Sequence, residues 1–186
     1  REDGPAAGVP GQLYDSFDTG ENRLTINPSG TVIFTGEVDS INSNNSCLWS
    51  GTPGNVRLIG REDGPLPDLA GEFFGNSPFF SSDTRMNGAG NTVFRCTRKG
   101  TQPSNGIWSG APDDPKVAAL TGTLAPDVNL NYRDISKNTL SQTNRIAFYS
   151  SLNSSADKAL FAGPPDNLKK VFRYGEPCQG IPGANY

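Results

Sequence analysis

The pentapeptide REDGP stands at residues 1–5 and again at 61–65. The likeness runs well past those letters. At a shift of 60, Gly11 falls on Gly71, Leu13 on Phe73 and Tyr14 on Phe74. NPSGTVIF (27–34) then falls on NGAGNTVF (87–94) at the same shift, and CLWSGTP (47–53) on GIWSGAP (106–112) at a shift of 59. A third, more divergent copy carries SQTNRIAF (141–148) and ALFAGPP (159–165), and RYGEPCQGIPGANY (173–186) aligns without a gap on residues 1–14. The chain therefore reads as units at 1–60, 61–120 and 121–172, followed at 173–186 by the opening of a fourth. A period of this length means that each unit is one supersecondary element, unable to bury its apolar face alone.

Within the first unit, RLTIN (23–27), TVIFTGEV (31–38), CLWSG (47–51) and VRLIG (56–60) read as short strands. TVIFTGEV is β-branched and aromatic with period-two alternation. NPSG (27–30) and TPGN (52–55) are turns, and residues 39–46 a polar loop. The composition agrees: 22 Gly and 15 Pro among 186 residues suit many strands and turns rather than long helices. The expected fold is all-β: three tandem four-stranded antiparallel repeats, β-propeller-like, plus the partial fourth. Three blades are fewer than a propeller usually has. The sheets must wrap a compact threefold core, stack openly, or be completed by other subunits.

The Asn and Gly positions have a local role. Asn27 and Asn87 open a turn by bonding it through the side chain, Gly30 and Gly90 take the positive φ that ends it, and Phe34, Phe94 and Phe148 plug the core from the next strand. These segments resemble the tandem-repeat proteins named for an Asn-x-x-Gly-x-x-Ala-Phe motif, the choice-of-anchor surface proteins of bacteria. Asn27, Gly30, Ile33 and Phe34 fill the motif in the first unit, and Asn87, Gly90, Val93 and Phe94 in the second. In the third, Ala147 and Phe148 fit while Ser141 and Asn144 stand in for Asn and Gly. REDGPAAG (1–8) is similar to the family's REGDPAPG with Gly and Asp exchanged. The resemblance implies an extracellular or cell-surface placement, propeller-like repeats and no catalytic residues. Family members usually carry a C-terminal anchor, and none is expected within these 186 residues.

The chain has no histidine, which removes Ser–His and Cys–His nucleophile systems and the usual metal-hydrolase ligand sets. Glu2, Asp3, Glu62 and Asp63 are the obvious acids for glycoside cleavage or a calcium site. They recur with the repeat, which favours a role in the crossover turn, bonding backbone N–H groups or pairing with Arg1 and Arg61. No enzyme, metal or cofactor is expected. Trp49 and Trp108 occupy one place in successive units, with Phe161 in the third. They are sugar-stacking platforms if exposed and core if buried. Net charge is −3 with no basic block, so nucleic acid is not an expected partner. No run approaches the ~20 apolar residues of a membrane span, so no membrane insertion is expected. The clean start on a repeat boundary fits a processed mature chain.

Two sequons, at Asn44 and Asn153, fall in equivalent loops and are candidate glycosylation sites; Thr101 and Ser104 offer O-linked alternatives in the second unit. Three cysteines suggest one bridge and one leftover thiol. Cys47 and Cys96 fall at one edge of neighbouring radially packed units, which makes a Cys47–Cys96 disulfide the expected staple and leaves Cys178 free or intermolecular. The alternative is three free thiols.

The extra segment, carrying Arg173, Pro177, Pro182 and Tyr186 at the places of Arg1, Pro5, Pro10 and Tyr14, either caps the last sheet or docks on another subunit. The latter gives a head-to-tail contact that closes into rings or extends into filaments. The expectation is an extracellular structural subunit assembling with itself. The competing class is a carbohydrate-binding, lectin-like module at the cell surface.

Overall fold

The computed structural model describes residues 3–17, 24–39, 46–75, 84–100 and 105–186. All regular structure among them is β. The first sheet comprises β1 (Tyr14–Phe17), β2 (Leu24–Ile26), β3 (Val32–Val38), β4 (Ser46–Thr52) and β5 (Asn55–Arg61). β1 and β2 share one edge of β3, pairing with its C-terminal and N-terminal parts, so the five segments fill four strand positions. The second sheet is β6 (Arg85–Met86), β7 (Thr92–Thr97), β8 (Asn105–Ala111) and β9 (Asp114–Leu120). The third is β10 (Asp134–Leu140), β11 (Ile146–Ser151), β12 (Lys158–Gly163) and β13 (Lys169–Arg173). Each sheet is antiparallel with strands in chain order.

Register fixes which side chains share a face. In β3, Val32 and Phe34 point one way, here the front, and Ile33 points to the back. Phe34 pairs across with Trp49, Phe94 with Trp108 and Phe148 with Phe161. The three pairs stack at ring-centroid distances of 5.4, 6.1 and 5.7 Å. Each front face therefore carries an aromatic pair, and each back face the aliphatic residue between: Ile33 and Leu48, Val93 and Ile107, Ala147 and Leu160.

These faces build the core in series. Ile33 and Leu48 from the first sheet's back pack with Phe94, Cys96 and Trp108 from the second sheet's front. Val93 and Ile107 pack with Phe148 and Phe161 in the same way. A third cluster lies on the front of the first sheet, around Val9, Val38, Cys47 and Trp49. No cluster joins the first sheet to the third, and among the described residues the sheets close into neither a barrel nor a ring. Of the arrangements open to the sequence, the described residues do not form the closed threefold core.

The same register accounts for the expected disulfide, which is absent. None of the three cysteines is in a disulfide. Cys47 alternates with Leu48, so it faces the front of the first sheet, whereas Cys96 faces the joint between the first and second sheets. A strand edge shared by neighbouring units does not bring two side chains together when they project into different layers.

Candidate functional site

Among the described residues the chain forms four crossover loops of one design, two between sheets and one at each end. In the first, Asp3 N donates to Tyr14 O and Tyr14 N to Gly4 O. The equivalent pairs are Asp63 with Phe74 and Phe74 with Gly64, Gly122 with Tyr132 and Tyr132 with Thr123, then Gly175 with Tyr186 and Tyr186 with Glu176. A bridge closes each loop: Pro5 to Leu13, Pro65 to Phe73, Leu124 to Asn131 and Pro177 to Asn185. The Asp of REDGP sits at positive φ, 60° at both Asp3 and Asp63, with Gly122 and Gly175 at the same place. Asp tolerates this left-handed conformation and Gly adopts it freely, which explains why the loop alternates between those two residues.

Asp63 pairs with Lys99 at 2.6 Å, and Glu62 is buried. Arg1 and Glu2 lie outside the described residues, as do Asn44, Thr101 and Ser104. Asn153 is exposed in the loop before β12, as a glycan acceptor must be.

Each of the first three crossovers is tied to the sheet that follows it, and those at 63–74 and 122–132 also touch the sheet before them. Trp49 Nε1 donates to Ala7 O at 2.9 Å and Trp108 Nε1 to Pro67 O at 3.0 Å, so the repeated Trp ties its sheet's front to the crossover above it. Both Trp side chains are fully buried, which settles them as core rather than sugar platforms. Phe161 has no N–H to donate; there Asp127 Oδ2 accepts from Lys170 N at 3.1 Å, as Asp68 Oδ2 does from Val117 N at 3.2 Å in the second unit. On the other side the closing aromatic reaches back to the preceding sheet. A Cβ on Gly60 would lie 2.5 Å from the Phe74 ring, so only the bare backbone of β5 lets Phe74 lie flat.

The Asn motif does more than close its own turn. Asn27 Oδ1 accepts from Ser29 N and Thr31 N, and Asn87 Oδ1 from Ala89 N and Asn91 N. Each amide then reaches the next unit: Asn27 Nδ2 lies 3.4 Å from Gly88 O, and Asn87 Nδ2 3.1 Å from Ser141 O. Ser141 keeps the turn, its Oγ accepting from Thr143 N and Arg145 N, but has no amide to hand on. Gly30, Gly90 and Asn144 take the positive φ as their spacing implies, at 80°, 86° and 57°.

The tail completes a crossover on the outer side of the third sheet. Lys170 Nζ pairs with Glu176 Oε1, and Tyr186 stacks on Phe172 with centroids 4.7 Å apart. Phe172 occupies the place of Gly60 and Ala119, and Tyr186, with no following sheet over it, is 38% exposed where Phe74 is fully buried and Tyr132 3% exposed. Arg173, at the end of β13, makes a two-point ion pair with Asp157 at 2.8 Å through each nitrogen. Pro177 and Pro182 are exposed. Ile181 is 60% exposed, whereas Val9 at the same place in the first loop is 3% exposed.

A family model describing a family of unknown function, DUF7453, matches residues 1–186. The chain belongs to that family. No curated protein and no solved structure matches it. The family match spans the three sheets and the fourth crossover together, so the tail belongs to the same matched unit.

The thiols complete the inventory. Burial pushes the Cys47 thiol up to about 12, against a smaller lowering by Arg61. Burial likewise raises Cys96 far above its ordinary value. Cys178 is half-buried in the fourth crossover.

Proposed function

We propose that the chain is an extracellular structural repeat protein, an open and propeller-like arc of blades that self-associates into filaments or a surface layer through its terminal segments. One observation carries this reading. The segment 173–186 folds as a complete crossover, yet leaves exposed the residue, Ile181, that the other crossovers cover with a following sheet. The resemblance to Asn-x-x-Gly-x-x-Ala-Phe surface proteins supports the extracellular placement, and the exposed Asn153 sequon fits a glycosylated surface. The test is removal of residues 174–186, which retains the Arg173–Asp157 pair. The shortened chain should remain a folded monomer and give no polymers in negative-stain micrographs. Polymers identical to those of the full chain would remove the tail from the joint.

A second reading is a carbohydrate-binding module. Its support is a cleft of about 540 Å³ on the outer face of the third sheet, lined by Tyr149, Lys137 and Lys158 with several serines. Asp134 lines the same cleft, and an aromatic ring beside charged groups of both signs and hydroxyls suits a polar sugar ring. A glycan array decides: this reading requires binding that Tyr149→Ala abolishes.

A further inference from the structure

Resting on the assembly reading above, we infer that copies join by exchange: the fourth crossover of one copy replaces the first crossover on the front of the next copy's first sheet. The template is inside the chain. At both internal joints a back face meets a front face with one crossover between them, continuous with the last strand of the preceding sheet. The two ends of the stack leave these same faces open. On the front of the first sheet, Leu24 and Ile26 are each 66% exposed, while Thr84 and Asn138, at the place of Leu24, are 1% and 5% exposed. On the back of the third sheet, Tyr149 is 42% exposed.

The occupant that fits is a second copy. Charge runs oppositely at the two ends: residues 1–60 hold three Lys or Arg against seven Asp or Glu, and residues 121–172 hold six against four. Asp3, Asp15 and Asp39 are exposed on the first unit, and Lys137 and Lys158 on the outer face of the third. Opposite potentials favour the head-to-tail encounter and oppose head-to-head or tail-to-tail ones.

Simple stacking would place two crossovers in a joint built for one. The fourth is continuous with its sheet, as at the internal joints, so the first must leave. The backbones match at the two glycines that shape the loop, with φ of 72° and 76° at Gly8 and Gly11 against 80° and 79° at Gly180 and Gly183. Ile181 then takes the place of Val9, Cys178 that of Ala6, and the Gln179 carbonyl accepts the Trp49 N–H that Ala7 O now accepts. A repeated element exchanged between copies is a low-cost route to assembly.

The tests use the full chain. Ile181→Asp, at an exposed position, should lower assembly at least tenfold in sedimentation velocity with an unchanged melting temperature. Val9→Asp should act with the opposite sign, because loosening the first crossover opens its seat to a neighbour's tail. Weakening by Val9→Asp in a folded chain would overturn the exchange while leaving self-assembly standing. A wild-type chain that stays monomeric at every concentration would instead remove the assembly reading. A measurement independent of both variants is hydrogen exchange with excess synthetic peptide 173–186. Exchange at the amides of residues 3–14 should rise at least tenfold, and unchanged protection there would overturn the exchange even if polymers form.

Discussion

Asn27 and Asn87 are 60 residues apart in sequence, yet the amide of the first lies 3.5 Å from the carbonyl of the second. The same side chain closes its own turn through its oxygen and holds the next unit through its nitrogen. A residue that reads locally as a turn former is therefore also a rung between sheets.

Asn87→Ser separates the two roles, because Ser141 already shows that a serine closes this turn. The variant should lose one buried-side hydrogen bond to Ser141 O, about 1 kcal/mol. For a chain of this size that is a fall in Tm of about 2–4 °C, measurable by calorimetry. The reverse change, Ser141→Asn, has no following unit within the chain and should stay within about 0.5 kcal/mol of wild type.

Gly60→Ala tests the slot beneath Phe74. Two ring carbons would lie 2.5 and 2.6 Å from the new methyl, so the ring must move. Overpacking of this kind costs about 1–3 kcal/mol, against a gain of about 0.4–1 kcal/mol from the stiffer unfolded chain. The expected result is net destabilisation in urea melts. In a Phe74→Leu background the penalty should largely vanish, giving a strongly non-additive cycle.

Much of this architecture was legible in the residues. The strands at 23–27, 31–38, 47–51 and 56–60 appear as β2 to β5 within a residue or two, because alternation over a short run leaves no competing period. Whether the sheets close on a threefold core, stack openly or are completed by other subunits was left open by the sequence, and the described residues exclude only the closed core. What the sequence concealed are relations between units: the amide rung, the Trp N–H bond to the crossover, and the Gly60 slot. Each joins residues about 14 to 60 positions apart, and none has a local signature. The one signal was positional, a small residue at 60 and 119 where the third unit has Phe172. The disulfide failed for a related reason, since edge position in a strand says nothing of the face a side chain takes.

The thiols predict a response to alkali. Cys47 and Cys96 hold their protons in the folded chain well beyond the ordinary value of 9.0. Their stabilisation is therefore complete below about pH 9, where both states are protonated alike. It is lost as pH rises from the unfolded value toward the folded one, because only the unfolded chain then releases the proton. Each thiol contributes a slope of about 1.4 kcal/mol per pH unit in that window. Urea melts from pH 8 to 10.5 should show stability falling above pH 9, and Cys47→Ala should reduce the slope. Native titration with a thiol reagent at pH 8 should find Cys178 reacting quickly and the other two only after denaturation.

The last prediction concerns the root of the tail. Asp157 accepts both guanidinium nitrogens of Arg173, and that hydrogen bonding holds its carboxyl below the usual value. A depressed carboxylate stabilises the fold above its unfolded pKa, and the contribution disappears as pH falls through the lower, folded value. The Arg173 side chain is 30% exposed, so water screens the pair and its worth is about 0.5–1 kcal/mol. Asp157→Asn should therefore cost little global stability at pH 7, and progressively less as the pH falls below the ordinary carboxyl value of 3.8. Its larger effect should be local, because Arg173 ends β13 and begins the fourth crossover. With the pair gone, amide exchange at residues 175–186 should quicken several-fold while β11 and β12 keep their protection. Equal quickening across the third sheet would mean that the pair holds the sheet as a whole rather than the tail.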